Sequence, residues 1–170
     1  GSYDMFLKAW RTDNCRMAWQ VRHSRAVTSF SCAETSFQDL GSVVASGAED
    51  GAIYIYSNHG KLITSFSAHG SGITCVELSS DSNVLVSASG VQDPTVKVWD
   101  WQNTRPVAML SGHTHGIFNL KIFAKGTRAA SVSNDGSIRI WDLTNNSLLT
   151  RLIGHSSALT AFCICEGASF

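Results

Sequence analysis

The chain has 170 residues, 44% of them apolar and 15% charged, a globular composition that excludes a disordered polymer and leaves enough chain for a sizeable core. Thirteen basic residues balance thirteen acidic ones and the pI is about 7.2, so no global field draws in nucleic acid or an anionic membrane. The five cysteines (Cys15, Cys32, Cys75, Cys163 and Cys165) are odd in number and irregularly spaced, which argues against a disulfide framework and favours an intracellular setting, the cytoplasm ahead of the nucleus. No apolar run approaches the roughly 20 residues that span a bilayer, and Gly1-Ser2-Tyr3-Asp4 has neither the basic nor the apolar region of a signal peptide.

In chain order, the first predicted element is DMFLKAWR from Asp4, an extended run ending on Trp10. The same frame returns as DGAIYIYS from Asp50, DPTVKVWD from Asp93 and DGSIRIWD from Asp135. Between the second and third frames lie the β-rich runs ITCVEL and VLVSAS; PVAML follows the third. Breaks between runs carry turn formers such as Asp-Ser-Asn, Gln-Asp-Pro and Asn-Thr-Arg. No window shows a clean 3.6-residue apolar period, so helices are not expected.

An aromatic residue follows each frame's Asp by six positions: Trp10, Tyr56, Trp99 and Trp141. Histidines keep step at His23, His69, His113 and His155, separated by 46, 44 and 42 residues, while Asp50, Asp93 and Asp135 are separated by 43 and 42. Two independent markers on one period mark a structural repeat. Four short strands in roughly 43 residues is the spacing of a β-propeller blade.

With Gly112-His113, Asp135 and Trp141-Asp142 in place, the chain resembles the WD-repeat family, whose signature is Gly-His, a turn Asp, then Trp-Asp. His69, Asp93 and Trp99-Asp100 match with Ala68 for the Gly; His23, Asp50 and Tyr56-Ser57 match less well. The resemblance implies an all-β fold of four-stranded antiparallel blades, each tied by a His, Ser or Thr, Asp and Trp network. Carried over, the networks are His113, Ser131, Asp135 and Trp141; His69, Ser87 or Ser89, Asp93 and Trp99; and His23, Ser46, Asp50 and Tyr56. The Ser stays open in the middle repeat because SASGVQD is two residues longer than its counterparts. With Tyr56 for Trp, the first complete repeat is expected to hold the loosest network.

Residues 1–22 then supply the outer strands of a partial blade, 23–68, 69–112 and 113–154 three full blades, and 155–170 the start of another. About four repeats fall short of the roughly 300 residues a seven-bladed ring needs. The preferred explanation is a propeller that continues beyond these residues. Two alternatives stay open: pairing of two copies into one ring, and a four-bladed or open form.

Other chemistry is weighed against plainer readings. His113 and His115 form a two-residue pair, but a zinc site needs three or four ligands and His113 already has a framework role. Cys163 and Cys165 alternate onto one strand face, most simply against a neighbouring blade. The His, Asp and Ser set suits a catalytic triad, yet it recurs in every blade, which points to framework. No enzyme activity and no cofactor or metal is expected. The ubiquitin-ligase receptor version of the motif adds Arg after Trp-Asp-x; here Gln102 and Thr144 stand at that position.

Function is therefore expected in the loops. Within the resembled family, partners dock on the narrow face around the central channel. The matching positions here are Thr28, Thr74, Phe118 and Thr160 at the start of each blade's first strand, and Glu49, Gln92 and Asn134 just before each turn Asp. Phe118 is the natural anchor, although a core role for it is equally open. These positions carry no basic-aromatic stripe, which disfavours nucleic acid. Arg11, Arg16, Arg22 and Arg25 cluster near the N-terminus and fit a solvated outer surface. The expected role is a protein–protein scaffold; the alternatives are a ligase substrate receptor and a homodimer that completes the ring.

Overall fold

The computed structural model describes residues 2–35, 40–80, 83–154, 159 and 162–164. Among these there are fourteen strands and no helix, and so no helix long and apolar enough to cross a membrane. Strands β1 (Phe6–Trp10) and β2 (Met17–Arg22) form a two-stranded sheet. Three four-stranded antiparallel meanders follow. The first is β3 (Val27–Thr35), β4 (Gly41–Ala48), β5 (Ala52–Ser57) and β6 (Leu62–Ser67). The second is β7 (Ile73–Leu78), β8 (Leu85–Ser89), β9 (Val96–Asp100) and β10 (Arg105–Leu110). The third is β11 (Ile117–Phe123), β12 (Arg128–Ser133), β13 (Ser137–Asp142) and β14 (Ser147–Ile153). These are blades of an incomplete propeller.

The core lies between blades, because a sheet one strand thick can bury side chains only against its neighbours. Val43, Ala45, Ile53 and Ile55 of the first full blade pack against Ile73, Val76, Leu85, Trp99 and Trp101 of the second. Val86, Ala88, Val96 and Val98 of the second pack against Leu120, Ala129, Trp141 and Leu143 of the third. Leu7, Val27 and Tyr56, with Trp19 alongside, join the leading sheet to the first full blade. A middle strand is covered on both faces, as β8 is along its whole length; β14, an outer strand of the last full blade, is exposed throughout.

The opening strands β3, β7 and β11 lie side by side. Side chains of one satisfy its neighbour's free edge: the Val76 and Leu78 amides each donate to a serine of β3, Ser29 and Ser31, at 3.0 Å. Lys121 meets Glu77 at 3.0 Å across the next junction. Unpaired backbone groups on an inner edge would otherwise lose their hydrogen bonds on burial.

Candidate functional site

In the third full blade, Ser131 is the hub. Trp141 Nε1 donates to its hydroxyl at 2.8 Å, and His113 Nε2 lies 2.8 Å away. A hydroxyl that accepts from the indole has its own proton free for Nε2, which leaves His113 Nδ1–H to donate to Asp135 Oδ2 at 2.8 Å. The second blade repeats this, with His69 at 2.7 Å from Asp93 and 2.8 Å from Ser87, and Trp99 donating to Ser87 at 2.8 Å. The serine left open by the sequence is thus Ser87; Ser89 bonds to Ser71 and the Gly72 carbonyl.

Burial lowers the pKa of His69 and His113 and outweighs the pull of their carboxylate partners. For Asp93 burial works upward, but hydrogen bonds from Thr95 and His69 win and hold it at about 2. Asp135 is driven down by the same balance. A nucleophile must reach its substrate, and the Ser87 and Ser131 side chains are fully buried beneath their indoles. Among the described residues no group of three or more His, Cys, Asp or Glu could hold a metal.

The first full blade departs from the expected set. No hydrogen bond joins His23 to Asp50. The Asp50 carboxylate is taken by Ser24 at 2.6 Å, Tyr54 at 2.9 Å and the Ala52 amide at 3.0 Å. Tyr56 cannot reach the serine as an indole does; its hydroxyl stops 3.2 Å from His23 Nε2, and Ser46 lies 3.4 Å from the same atom. His23 Nδ1 is buried without a partner among the described residues. Burial lifts the Tyr56 hydroxyl to about 12, so it stays protonated.

The residue four after each Asp was missed by the sequence reading. Lys97 reaches Asp93 and the Ala68 carbonyl, and Arg139 donates to the Gly112 carbonyl at 2.6 Å. Tyr54 holds the equivalent place in the first blade. The repeated frame carries the signal: a long polar side chain between two aliphatic ones. Trp101, which follows Trp99-Asp100, is fully buried. Asp100 and Asp142 close the turns that follow them by bonding Asn103 and Asn145.

The rim positions share a backbone device. Pairing slips by one residue between Val27 and Ser29, between Ile73 and Cys75, and between Ile117 and Asn119. Thr28, Thr74 and Phe118 are the extra residues of three equivalent bulges, a device that re-aims a side chain. The Thr28 hydroxyl lies 2.6 Å from the Ile73 carbonyl of the next blade. Thr74 Oγ1 is buried without a partner among the described residues, and Phe118 is half-buried. Glu49, Gln92 and Asn134 are exposed at the same end of their sheets. His155, Thr160 and Cys165 fall outside the described residues; Cys163 is exposed. The four arginines are exposed at opposite ends of the leading hairpin, Arg11 and Arg16 at its turn, Arg22 and Arg25 at its exit.

Comparison with known proteins adds a family and relatives. The family model described as "WD domain, G-beta repeat" matches residues 17–57, 60–100 and 104–142. Each match starts on or just before a blade's outer strand and ends on the third strand of the next, so the sequence repeat is offset by one strand from the blade. The chain is 31% identical over 115 residues to "Nuclear distribution protein PAC1" of Candida glabrata, covering 62% of this chain and 25% of that protein. It is 30% identical over 126 residues to "Ribosome biogenesis protein WDR12 homolog" of Chlamydomonas reinhardtii, covering 71% of this chain and 27% of that protein. A third relative is the human "NACHT domain- and WD repeat-containing protein 1", 39% identical over 74 residues, covering 44% of this chain and 5% of that protein. The chain thus spans about a quarter of the length of the first two relatives.

Proposed function

Because the chain belongs to the WD-repeat family, we propose that it acts as a non-catalytic scaffold whose loops on one propeller face dock a peptide or a partner surface. One observation carries this reading: the recurring His, Ser and Trp of the second and third full blades are buried and hydrogen-bonded to one another within each blade. The side chains that vary from blade to blade sit on bulges and turns at one shared end. Rigid sheets presenting variable loops are a general plan for recognition. Two relatives bear the words "nuclear distribution" and "ribosome biogenesis" in their names. Those names differ from one another, which accords with one scaffold plan serving unrelated assemblies.

The test is affinity capture with the full chain and with a variant carrying Glu49→Lys, Gln92→Lys and Asn134→Lys. Partners lost by that variant but kept by Lys125→Glu support docking at this rim. An identical partner set for all three proteins sinks it.

A second reading is completion of the ring by another copy of the chain. The observation that favours it is at the leading sheet: Trp10, at the place where Trp99 and Trp141 are buried, is 61% exposed, and Phe30 on β3 is 55% exposed. A monomeric mass in solution at the highest attainable concentration would remove this reading. The ligase-receptor version finds no support here, because Gln102 and Thr144 occupy the places where its arginine would stand.

A further inference from the structure

The residue four after the turn Asp holds one place in all three full blades, but its surroundings differ in the third. In the second blade Lys97 reaches the Asp93 carboxylate at 3.2 Å and the Ala68 carbonyl at 2.9 Å, and the neutral Met109 stands across from it on β10. In the first, Tyr54 faces Ser65. In the third, Arg139 keeps the carbonyl bond, to Gly112 at 2.6 Å, but forms no ion pair with Asp135. That carboxylate is taken by His113, by the Ser137 hydroxyl and amide, and by the Thr114 amide. Directly across from Arg139 on β14 stands a second cation, Arg151.

Arg139 is 8% exposed, and its Nε is buried without a partner among the described residues. Gly112 lets the guanidinium settle this deep, because a Cβ there would overlap Arg139 Nη1. The Trp141 ring, 6.0 Å from the guanidinium carbon, attracts a cation only weakly at that range. Burial and the Arg151 charge push the Arg139 pKa down, and Asp135 pulls the other way more weakly. Arg151 itself is exposed on the outermost strand, and among the described residues neither arginine forms an ion pair.

Two features of this pair are unfavourable for the chain alone. Like charges directly opposite on neighbouring strands repel, and a buried cation without an anionic partner is costly. Lys97 escapes both through Asp93 and Met109. An anion between Arg139 and Arg151 would relieve both at once.

We propose that Arg139 and Arg151 form an oxyanion site, set within β13 and β14 and not on a loop, that takes a doubly charged phosphate group. Planar guanidiniums offer paired N–H donors that match phosphate oxygens. A phosphate monoester carries close to two negative charges near neutral pH, enough for both cations, whereas a carboxylate would offset one. Arg151 is the exposed contact. Arg139 adds a fixed charge, and its bond to Gly112 already holds it in place, so little freedom is lost on binding.

The probes are inorganic phosphate and a capped tripeptide centred on phosphoserine, which separate free phosphate from a phosphorylated side chain as the source. Each is titrated by calorimetry into the full chain and into Arg151→Gln, Arg151→Glu and, as a control, Lys125→Gln, with ionic strength held constant by chloride. Melting temperatures are taken in chloride alone. The unmodified chain and Lys125→Gln are expected to bind at least one probe alike, and Arg151→Gln to bind it about tenfold or more weakly. In chloride Arg151→Gln should melt no lower than the unmodified chain. Arg151→Glu should melt higher, because an acid across from Arg139 supplies from within the chain what the phosphate brings. Binding of neither probe, equal binding by the unmodified chain and both Arg151 variants, or a lower melting temperature for Arg151→Glu overturns the proposal.

Discussion

His23 Nε2 and the Tyr56 hydroxyl lie 3.2 Å apart, a contact that stands where the other blades have a serine shared by histidine and indole. Ser87 and Ser131 each serve two partners at 2.8 Å, whereas Ser46, among the described residues, has one, His23, at 3.4 Å. The first full blade is built to a different bonding plan from its neighbours, and several measurable consequences follow from differences of this kind.

Ser131→Ala strands two buried groups, the Trp141 indole N–H and His113 Nε2. Each stranded group costs about 1–3 kcal/mol, so the expected loss is about 3 kcal/mol in urea unfolding. Ser46→Ala removes one longer contact and is expected to lose about 1 kcal/mol or less. Equal losses would show that the two blades do not differ in this way.

Stability should fall on mild acidification. Burial holds His23, His69 and His113 below the ordinary histidine value of 6.5, so the unfolded chain takes up protons that the folded chain refuses. Their contribution is complete above 6.5 and declines as the pH drops below it. Asp93, held at about 2, adds a loss of the same sign once the pH falls below the ordinary carboxylate value of 3.8. The melting temperature is expected to hold near neutrality and to decline between pH about 6.5 and about 5, with a shallower decline in His69→Gln. A melting temperature that rises over that interval contradicts the assignment.

Gly51 joins the first full blade to the second. Its carbonyl accepts from the Ala68 and His69 amides at 2.9 and 3.0 Å, its φ is 77°, and an added Cβ would sit 2.3 Å from the His69 carbonyl oxygen. Gly51→Ala combines a left-handed backbone, about 1 kcal/mol or more, with overpacking of about 1–3 kcal/mol. Gly70→Ala, whose Cβ meets no atom of the described residues within 4 Å, is the control and should stay within about 0.5 kcal/mol. Chemical denaturation of both variants tests the contrast.

Trp101 is fully buried at the junction of the first and second full blades. Trp101→Ala is expected to cost about 3–5 kcal/mol, enough to abolish a cooperative thermal transition in a marginal array. Gln102→Ala, at its exposed neighbour, should change little. A mild effect at Trp101 would mean that this junction closes without it.

The sequence determined the strand-and-turn frame and its period of roughly 43 residues, because these depend on spacing along one chain. Strand alternation, Asp-Gly turns and the common period of His23, His69 and His113 with Asp50, Asp93 and Asp135 are local properties, and the set His113, Ser131, Asp135 and Trp141 followed from the resemblance that they carry. Tertiary structure decided what happens between neighbours. Whether Ser87 or Ser89 meets the indole depended on the register of β8 against β9, in which Leu85 faces Trp99 and Ser87 faces Lys97. That His23 loses Asp50 depended on Tyr54 and Ser24 arriving at the carboxylate first. Burial of Trp101 depended on how closely one sheet approaches the next. Spacing specifies which atoms share a strand face; distances between atoms of different blades are set only when the sheets pack.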